Sequence, residues 1–210
     1  MKLGYINSGY DNRDLVLDYS SENKKRTDSL PECYDFSDFL SVRCKNQGEE
    51  PVCVPFSLGL SLEIRKKLNG IDNYWIDTND IFKNGGTEDG MMIRDALKYV
   101  KKCGYKTKNS EDREKIHIYG KLMSFQAIKQ NVYNNGPCII ALRVRDVERP
   151  DFWNGEYDLG GHAIACVGWT DEGFLLMNSW GNKFGNNGRV ILPYKDYNKE
   201  NVLECWGFIS

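Results

Sequence analysis

Residues 47–57, which read QGEEPVCVPFS, are the stretch around which we interpret the chain. A helix is predicted to begin at Cys53, because apolar residues follow it, lysines occupy the last turn and Gly70 suits the C-terminal cap. Pro55 is compatible with a first helical turn, where its missing N–H leaves no helical hydrogen bond unmade. Cys53 is therefore expected where free backbone N–H groups and the positive end of the helix dipole favour a thiolate.

Taken alone, Cys53 is also explained as a small buried apolar residue, since free cysteines are among the most buried residue types. Two distant motifs favour a chemical role instead. His162 lies in GGHAIACVGW and Asn178 in LLMNSWGNKFGNNGR, while Gln47 precedes the cysteine by six positions. Cysteine, histidine and asparagine in this order can supply a nucleophile, its base and the group that orients the base.

Together these motifs resemble those of the papain-like cysteine peptidases (the C1 family), of the short bacterial or viral type. The similarity extends from about Leu30 to the end, with KNQG…C..FS, GGHA…VGW and NSWG..FG..G in the family's order. Serine hydrolases would need an exposed serine on a sharp turn in place of this order. The resemblance implies an α+β fold of two lobes. The left lobe would be helical, the right lobe an antiparallel β-barrel, and the active-site cleft would lie between them.

The resemblance also implies a role for each motif residue. Cys53 would be the nucleophile, His162 the base and Asn178 its orienter. Gln47 would donate to the oxyanion together with the Cys53 backbone N–H. We expect the Cys53 sulfur within about 4 Å of a His162 ring nitrogen, and a thiol pKa lowered by several units.

A substrate-binding surface follows from the same resemblance. Gly85 and Gly86 should offer their backbone to an extended peptide, and Trp180 should shield the hydrogen bond between histidine and asparagine. The pocket for the second substrate side chain is expected from Thr87, Ala141 and Ala163, with Gly160 and Gly161 beside it. Because these residues are small, we expect the pocket to take a bulky apolar side chain.

The chain departs from the family pattern around the nucleophile. Secreted relatives have a disulfide where this chain has Glu50 and Lys83, which we expect to form an ion pair instead. Val54 and Pro55 replace a tryptophan and an alanine. These replacements keep open a non-catalytic module that binds extended peptides. An acyl transferase using the same triad is a further alternative, because an amine can replace water as the acceptor.

Three segments are predicted along the chain. Residues 1–29 form an N-terminal arm and possible short prosegment, in which case the protein is a zymogen. Residues 30–115 form the helical lobe with the nucleophile, and residues 116–210 form the barrel lobe with the histidine and asparagine. The arm is long enough to cross a cleft at about 3.3 Å per residue, with Gly85 and Gly86 pairing to its backbone. An arm packed away from Cys53 is the alternative.

Several elements are predicted from pattern within these segments. One helix is expected to have Asp89 as its N-cap, Cys103 on its apolar face and Gly104 at its end. Strands are predicted at residues 116–119, 138–144, 161–169, 173–178 and 188–194, with a helix from Ser124 to Asn134.

The net charge and the lack of long apolar runs limit which partners and which cellular compartment we expect. The net charge of −2 argues against nucleic acid or an anionic membrane as the main partner. No apolar run approaches the roughly 20 residues of a membrane span, and the N-terminus lacks the apolar core of a signal peptide. We therefore expect a cytoplasmic or virus-associated monomer that acts on a peptide or protein.

Seven cysteines give an odd count, and Cys138 and Cys166 lie in apolar runs typical of a core. We interpret the cysteines as free thiols in a reducing compartment. Two histidines without a C-x-x-C pair do not fit a zinc site. We therefore expect no metal and no cofactor.

Overall fold

The structure, a computed structural model, describes residues 2–19, 30–36, 43–72 and 74–210. Parts of the predicted arm, residues 1 and 20–29, lie outside the described residues. So do residues 37–42 and 73 of the predicted helical lobe. No helix within the described ranges has the length and apolar character needed to cross a membrane.

The α-helices of the described chain are α1 (Cys53–Leu68), α2 (Thr78–Lys83), α3 (Ile93–Lys102) and α4 (Phe125–Asn135). Helix α1 begins at Cys53, as predicted. It ends where the Asn69 N–H donates to the Arg65 carbonyl and Gly70 takes a φ of 78°, a backbone conformation that glycine adopts without strain. Helix α4 is capped by the Ser124 side chain, which accepts from the Ala127 N–H.

The strands in chain order are β1 (Tyr5–Ile6), β2 (Tyr34–Asp35), β3 (Met91–Met92), β4 (Tyr105–Lys106), β5 (Arg113–Glu114), β6 (Ile118–Lys121), β7 (Cys138–Val144), β8 (Gly160–Trp169), β9 (Gly173–Met177), β10 (Arg189–Pro193) and β11 (Val202–Ile209). A seven-stranded antiparallel sheet has the order β10-β9-β8-β7-β11-β6, and β2 pairs with β8. The fold is α+β, as predicted. Strands β10 and β6 are the two ends of this order in the described chain, so we describe a sheet and not a closed barrel.

Strand β11 was not predicted from the sequence. It pairs with both β7 and β6 and is therefore internal to the sheet. Its residues, VLECWGFI, interrupt the apolar alternation with Glu204 and Gly207. Cys205 lies in one core cluster and Trp206 in the other, so both faces of β11 are covered. A strand covered on both faces does not need strict alternation, which explains why the periodicity failed to identify it.

The predicted start of helix α3 is wrong. The helix begins at Ile93, four residues after the expected cap Asp89. Thr87 and Gly90 exchange backbone hydrogen bonds, and Gly90 takes a φ of 127°, so this segment forms a turn before β3. Cys103 is exposed and does not lie on an apolar face.

The described part of the N-terminal arm is docked on the body of the protein. Strand β1 pairs in parallel with β3, with Tyr5 opposite Met91. The expected pairing of the arm with Gly85 and Gly86 is therefore wrong. The arm continues to Val16, which forms a bridge with Lys121 on β6.

The ion pair expected to replace the family disulfide is not formed. Glu50 and Lys83 are both exposed, and neither takes part in an ion pair within the described ranges. All seven cysteines are free, including Cys138 and Cys166, which are buried as predicted. The segments that carry Glu50 and Lys83 are therefore held by packing, without a disulfide or an ion pair between them.

Helix α1 packs on both sides. Leu60 and Ile64 belong to the core cluster between the sheet and α4, while Leu58 and Leu62 belong to the cluster that includes Ile93 and Leu97 of α3. A helix buried on opposite faces has no solvent stripe, in keeping with its mixed apolar spacing.

Replacing Leu58 with alanine should lower the free energy of unfolding by about 2–5 kcal/mol, because the side chain is fully buried and its removal leaves a cavity. Leu68→Ala is the matched control in the same helix, since Leu68 is 39% exposed. It should lower stability by about 1 kcal/mol or less. Urea unfolding of both variants makes the measurement. Equal losses would contradict the burial of Leu58 in the cluster with α3.

Candidate active site

Cys53 lies at the first position of α1 and is fully buried. The Ala163 N–H of β8 donates to its sulfur at 3.5 Å. Ala163 directly follows His162 in the chain, so this contact brings the start of the helix to the strand that carries the histidine.

His162 forms the hydrogen bond with Asn178 that the motifs predicted. Its Nε2 lies 2.7 Å from Asn178 Oδ1, which also accepts from the Ser179 backbone N–H at 2.7 Å. Because Oδ1 accepts, Nε2 carries the proton and Nδ1 keeps a free lone pair. Nδ1 is buried and makes no hydrogen bond with any described residue. It therefore makes no hydrogen bond to the Cys53 sulfur.

An aromatic cover excludes water from the histidine. The Trp180 ring centroid lies 4.4 Å from that of His162, and Phe152 lies 5.0 Å from Trp180 and 5.8 Å from His162. The Trp180 ring therefore packs on the His162 ring. Phe152 was not singled out as a site residue from the sequence, although its aromatic-rich loop, PDFWNGEYDL, was a visible signal.

Gln47 is buried and is held by Ser179, a residue that the sequence analysis missed. Its Oε1 accepts from the Ser179 hydroxyl at 2.7 Å, which turns its Nε2 the other way. That nitrogen donates to the Glu50 carbonyl at 2.9 Å and to the Lys2 carbonyl of the arm at 3.4 Å. A carbonyl of the arm therefore accepts from the Gln47 amide, the group that was expected to donate to the oxyanion.

The arm passes close to Cys53. Gly4 is buried, and its backbone N–H acts on the Cys53 sulfur, while its carbonyl accepts from the Met91 N–H at 2.9 Å. The approach is too close for a side chain, because a Cβ on Gly4 would lie 2.1 Å from the Pro51 carbonyl oxygen. Glycine at this position is what lets the chain cross the site.

Burial determines the protonation states of Cys53 and His162. It raises the pKa of the Cys53 thiol to about 11, and the N–H groups of Ala163, Gly4 and the helix start oppose it only in part. Burial also lowers the pKa of His162 to about 4. The expected lowering of the thiol pKa is not found in this covered state, where both groups are neutral.

Only part of the expected pocket comes together. Ala141 and Ala163 are paired across β7 and β8 in the core cluster against which Tyr5 packs. A Cβ on Gly161 would lie 2.2 Å from the Tyr5 ring, so Gly161 is the surface on which that ring rests. Thr87 is exposed and bonds to Gly90 instead.

Gly85 and Gly86 contact neighbours in their own segment. Gly85 lies against the Met91 side chain, and Gly86 lies against the Phe82 ring. In this structure the arm therefore does not use the two glycines.

Glu204 is a further residue of this pocket that the sequence analysis missed. It accepts a hydrogen bond from the Ser8 hydroxyl at 2.8 Å. Burial, together with the charge of Glu204, raises the pKa of the Tyr5 hydroxyl. An acidic residue within the apolar segment VLECWGFI was the available signal. No group of three side chains suited to hold a metal ion occurs among the residues described.

The lowered pKa of His162 predicts a loss of stability in acid. The folded protein binds this proton at about pH 4 and the unfolded chain at its ordinary pKa of 6.5, so the contribution is present above pH 6.5 and lost as pH falls through 4. Between pH 7 and pH 5 the loss should be about 2 kcal/mol. His162→Gln should remove that part of the pH dependence, measured as the difference in urea midpoints from the parent chain. Identical pH profiles would contradict the burial of a neutral histidine.

Comparison with known sequences finds the same family as the motifs. The model for "Papain family cysteine protease" matches residues 35–204. A peptidase C1-like protein of Acanthamoeba polyphaga mimivirus is 45% identical over 57 residues, which are 26% of this chain and 18% of that protein. A gut-specific cysteine proteinase of Caenorhabditis elegans is 33% identical over 100 residues, which are 40% of this chain and 29% of that protein. The chain thus matches less than a third of either relative.

Solved structures agree on the fold. Xylellain, a cysteine protease from Xylella fastidiosa, superposes with a TM-score of 0.82 at 19% identity, covering 99% of this chain and 96% of that one. The cysteine protease CMS1MS2 of Carica candamarcensis, solved in complex with E-64, gives 0.71 at 19% identity, over 86% of this chain and 99% of that one. With the family model spanning most of its length and the papain-like fold around Cys53 and His162, the chain belongs to the papain family of cysteine proteases.

Proposed function

We propose that this protein is a cysteine peptidase that cleaves peptide bonds with Cys53, His162, Asn178 and Gln47. The observation that carries the proposal is the buried, unbonded Nδ1 of His162, on the strand whose next residue donates to the Cys53 sulfur. Nδ1 is free to take the thiol proton because Asn178 holds Nε2 in its protonated form.

The chemistry follows from these positions. The thiol proton passes to Nδ1 as the sulfur attacks the peptide carbonyl. The developing oxyanion is stabilised by Gln47 Nε2 and the Cys53 backbone N–H at the start of α1. The imidazolium then protonates the leaving amine, and water releases the acyl group from the resulting thioester.

The arm, in this proposal, keeps the enzyme latent. It buries the thiol under Gly4, accepts from Gln47 through the Lys2 carbonyl and fills the pocket beside Gly161 with Tyr5. Withdrawal of the arm would admit water and substrate and reduce the burial that raises the thiol pKa. Thiolate and imidazolium would then be favoured together.

Arg94 holds the arm in place. Its guanidinium donates to the carbonyls of Ser8 and Gly9 and pairs with the Asp14 carboxylate. Lys121 lies 3.0 Å from the same carboxylate. The Arg94 guanidinium also holds the pKa of Asp14 below its ordinary value.

Two alternatives to a peptidase are a non-catalytic module that binds peptides and an acyl transferase. Val54 and Pro55, the replacements typical of a drifted binding module, are both buried in α1 and do not displace Cys53, so the catalytic reading is favoured. Acyl transfer to an amine uses the same groups and is separated only by its product. We propose peptide or protein substrates, a monomer, and a reducing compartment that suits seven free thiols.

Cys53→Ala should abolish peptide cleavage and leave the fold intact. Cys103→Ala is the control, since Cys103 is exposed and far in sequence from the site. Turnover of a peptide library, with product masses recorded with and without a primary amine, makes the measurement. Free carboxyl products support hydrolysis, and amide products support transfer. Undiminished cleavage by Cys53→Ala would refute the assigned nucleophile.

Tyr5→Ala should raise the rate of peptide cleavage by the full chain about tenfold, because losing a partly buried ring that packs on Gly161 shifts the arm toward release by about 1.4 kcal/mol. Tyr10→Ala is the matched control in the same arm, since Tyr10 is 92% exposed. Its rate should equal that of the parent chain. Equal rates for all three proteins, with Cys53 active, would leave the arm a structural role only.

A further inference from the structure

Arg65 is buried at the far end of the nucleophile helix. It is 6% exposed and lies in the last turn of α1, where its Nη2 donates to the Phe208 carbonyl at 2.7 Å and to the Pro137 carbonyl at 3.2 Å. The guanidinium carbon stands 3.9 Å from the centroid of the Phe208 ring. Its Nε is buried and has no hydrogen-bond partner among the described residues.

The positive charge of Arg65 is not balanced. It forms no ion pair with any residue in the described ranges, and burial lowers its pKa to about 9. Buried charges in proteins are normally paired, because an unpaired one loses its hydration without compensation. The two carbonyl oxygens and the aromatic face offset only part of this loss.

A cavity of about 340 Å³ lies beside this arginine. Its wall carries three cationic side chains, Arg65, Lys66 and Lys115, and also His117. The opposing charge comes from Glu114, which already pairs with Lys66 and accepts from the Tyr74 hydroxyl at 2.6 Å. Lys115 and His117 are exposed and form no ion pair within the described chain. The side chains that line the cavity therefore carry an excess of positive charge.

We propose that this cavity is a binding site for a small oxyanion of the size and charge of phosphate. A guanidinium presents several N–H groups in one plane, which suits the oxygens of such an anion. The anion would approach the Arg65 guanidinium, Lys115 and His117 from the solvent side of the cavity. The site lies at the opposite end of α1 from Cys53, and its occupancy does not depend on the peptidase function.

Thermal unfolding of the full chain carrying Cys53→Ala tests this site without any need for activity. Inorganic phosphate should raise the melting temperature by about 5 °C at concentrations far above its dissociation constant. Sodium chloride at the same ionic strength should not. Arg65→Gln should lose the response, while Arg149→Gln, which removes an exposed arginine paired with Asp151, should keep it.

A second variant covers the case in which Arg65→Gln does not fold. Lys115→Gln changes an exposed side chain and should shift the midpoint of the phosphate titration to several-fold higher concentration. The proposal is overturned if phosphate and chloride act alike on the parent chain. It is also overturned if the phosphate response is unchanged in every folded variant of the cavity.

Discussion

The contact between the start of α1 and strand β8 is the constraint on which the site depends. Cys53 and Ala163 are 110 residues apart in sequence, yet a backbone N–H on the strand reaches the thiol at 3.5 Å. The contact is possible because α1 is buried on opposite faces and contributes to both core clusters. A shift of this helix would therefore move Cys53 away from the strand that carries His162.

The motifs predicted the parts of the site that follow from residue type and order. The start of α1 and the hydrogen bond between His162 and Asn178 are examples, since a helix signal and a short hairpin are local properties of the chain. Properties set by distant packing were not predicted. Strand β11 owes its place to neighbours on both sides, and Glu50 and Lys83 remain apart because charge complementarity alone does not place two exposed side chains together.

The pKa of Cys53 is another property that the motifs alone did not predict. The helix start and the N–H groups around the sulfur act in the expected direction, but burial outweighs them. Cys53 lies in a core cluster built from several elements, and Gly4 of the arm, far from Cys53 in sequence, is buried with its N–H near the sulfur. The chemistry of the pair is therefore determined jointly by the helix, the strand and whatever chain segment covers them, and only the first two are visible in the motifs.

The parallel pairing of β1 with β3 has a further consequence, because the arm belongs to the same chain as the cleft it crosses. Docking of a tethered segment is intramolecular, with an effective concentration on the order of millimolar. A short pairing with modest intrinsic affinity is then enough to keep the cleft occupied. One cut between the arm and Leu30 would make rebinding bimolecular, and at the dilution of an ordinary cellular protein the same contacts would no longer suffice. Cleavage would thus act as a one-way change through concentration alone, with no altered contact in the cleft.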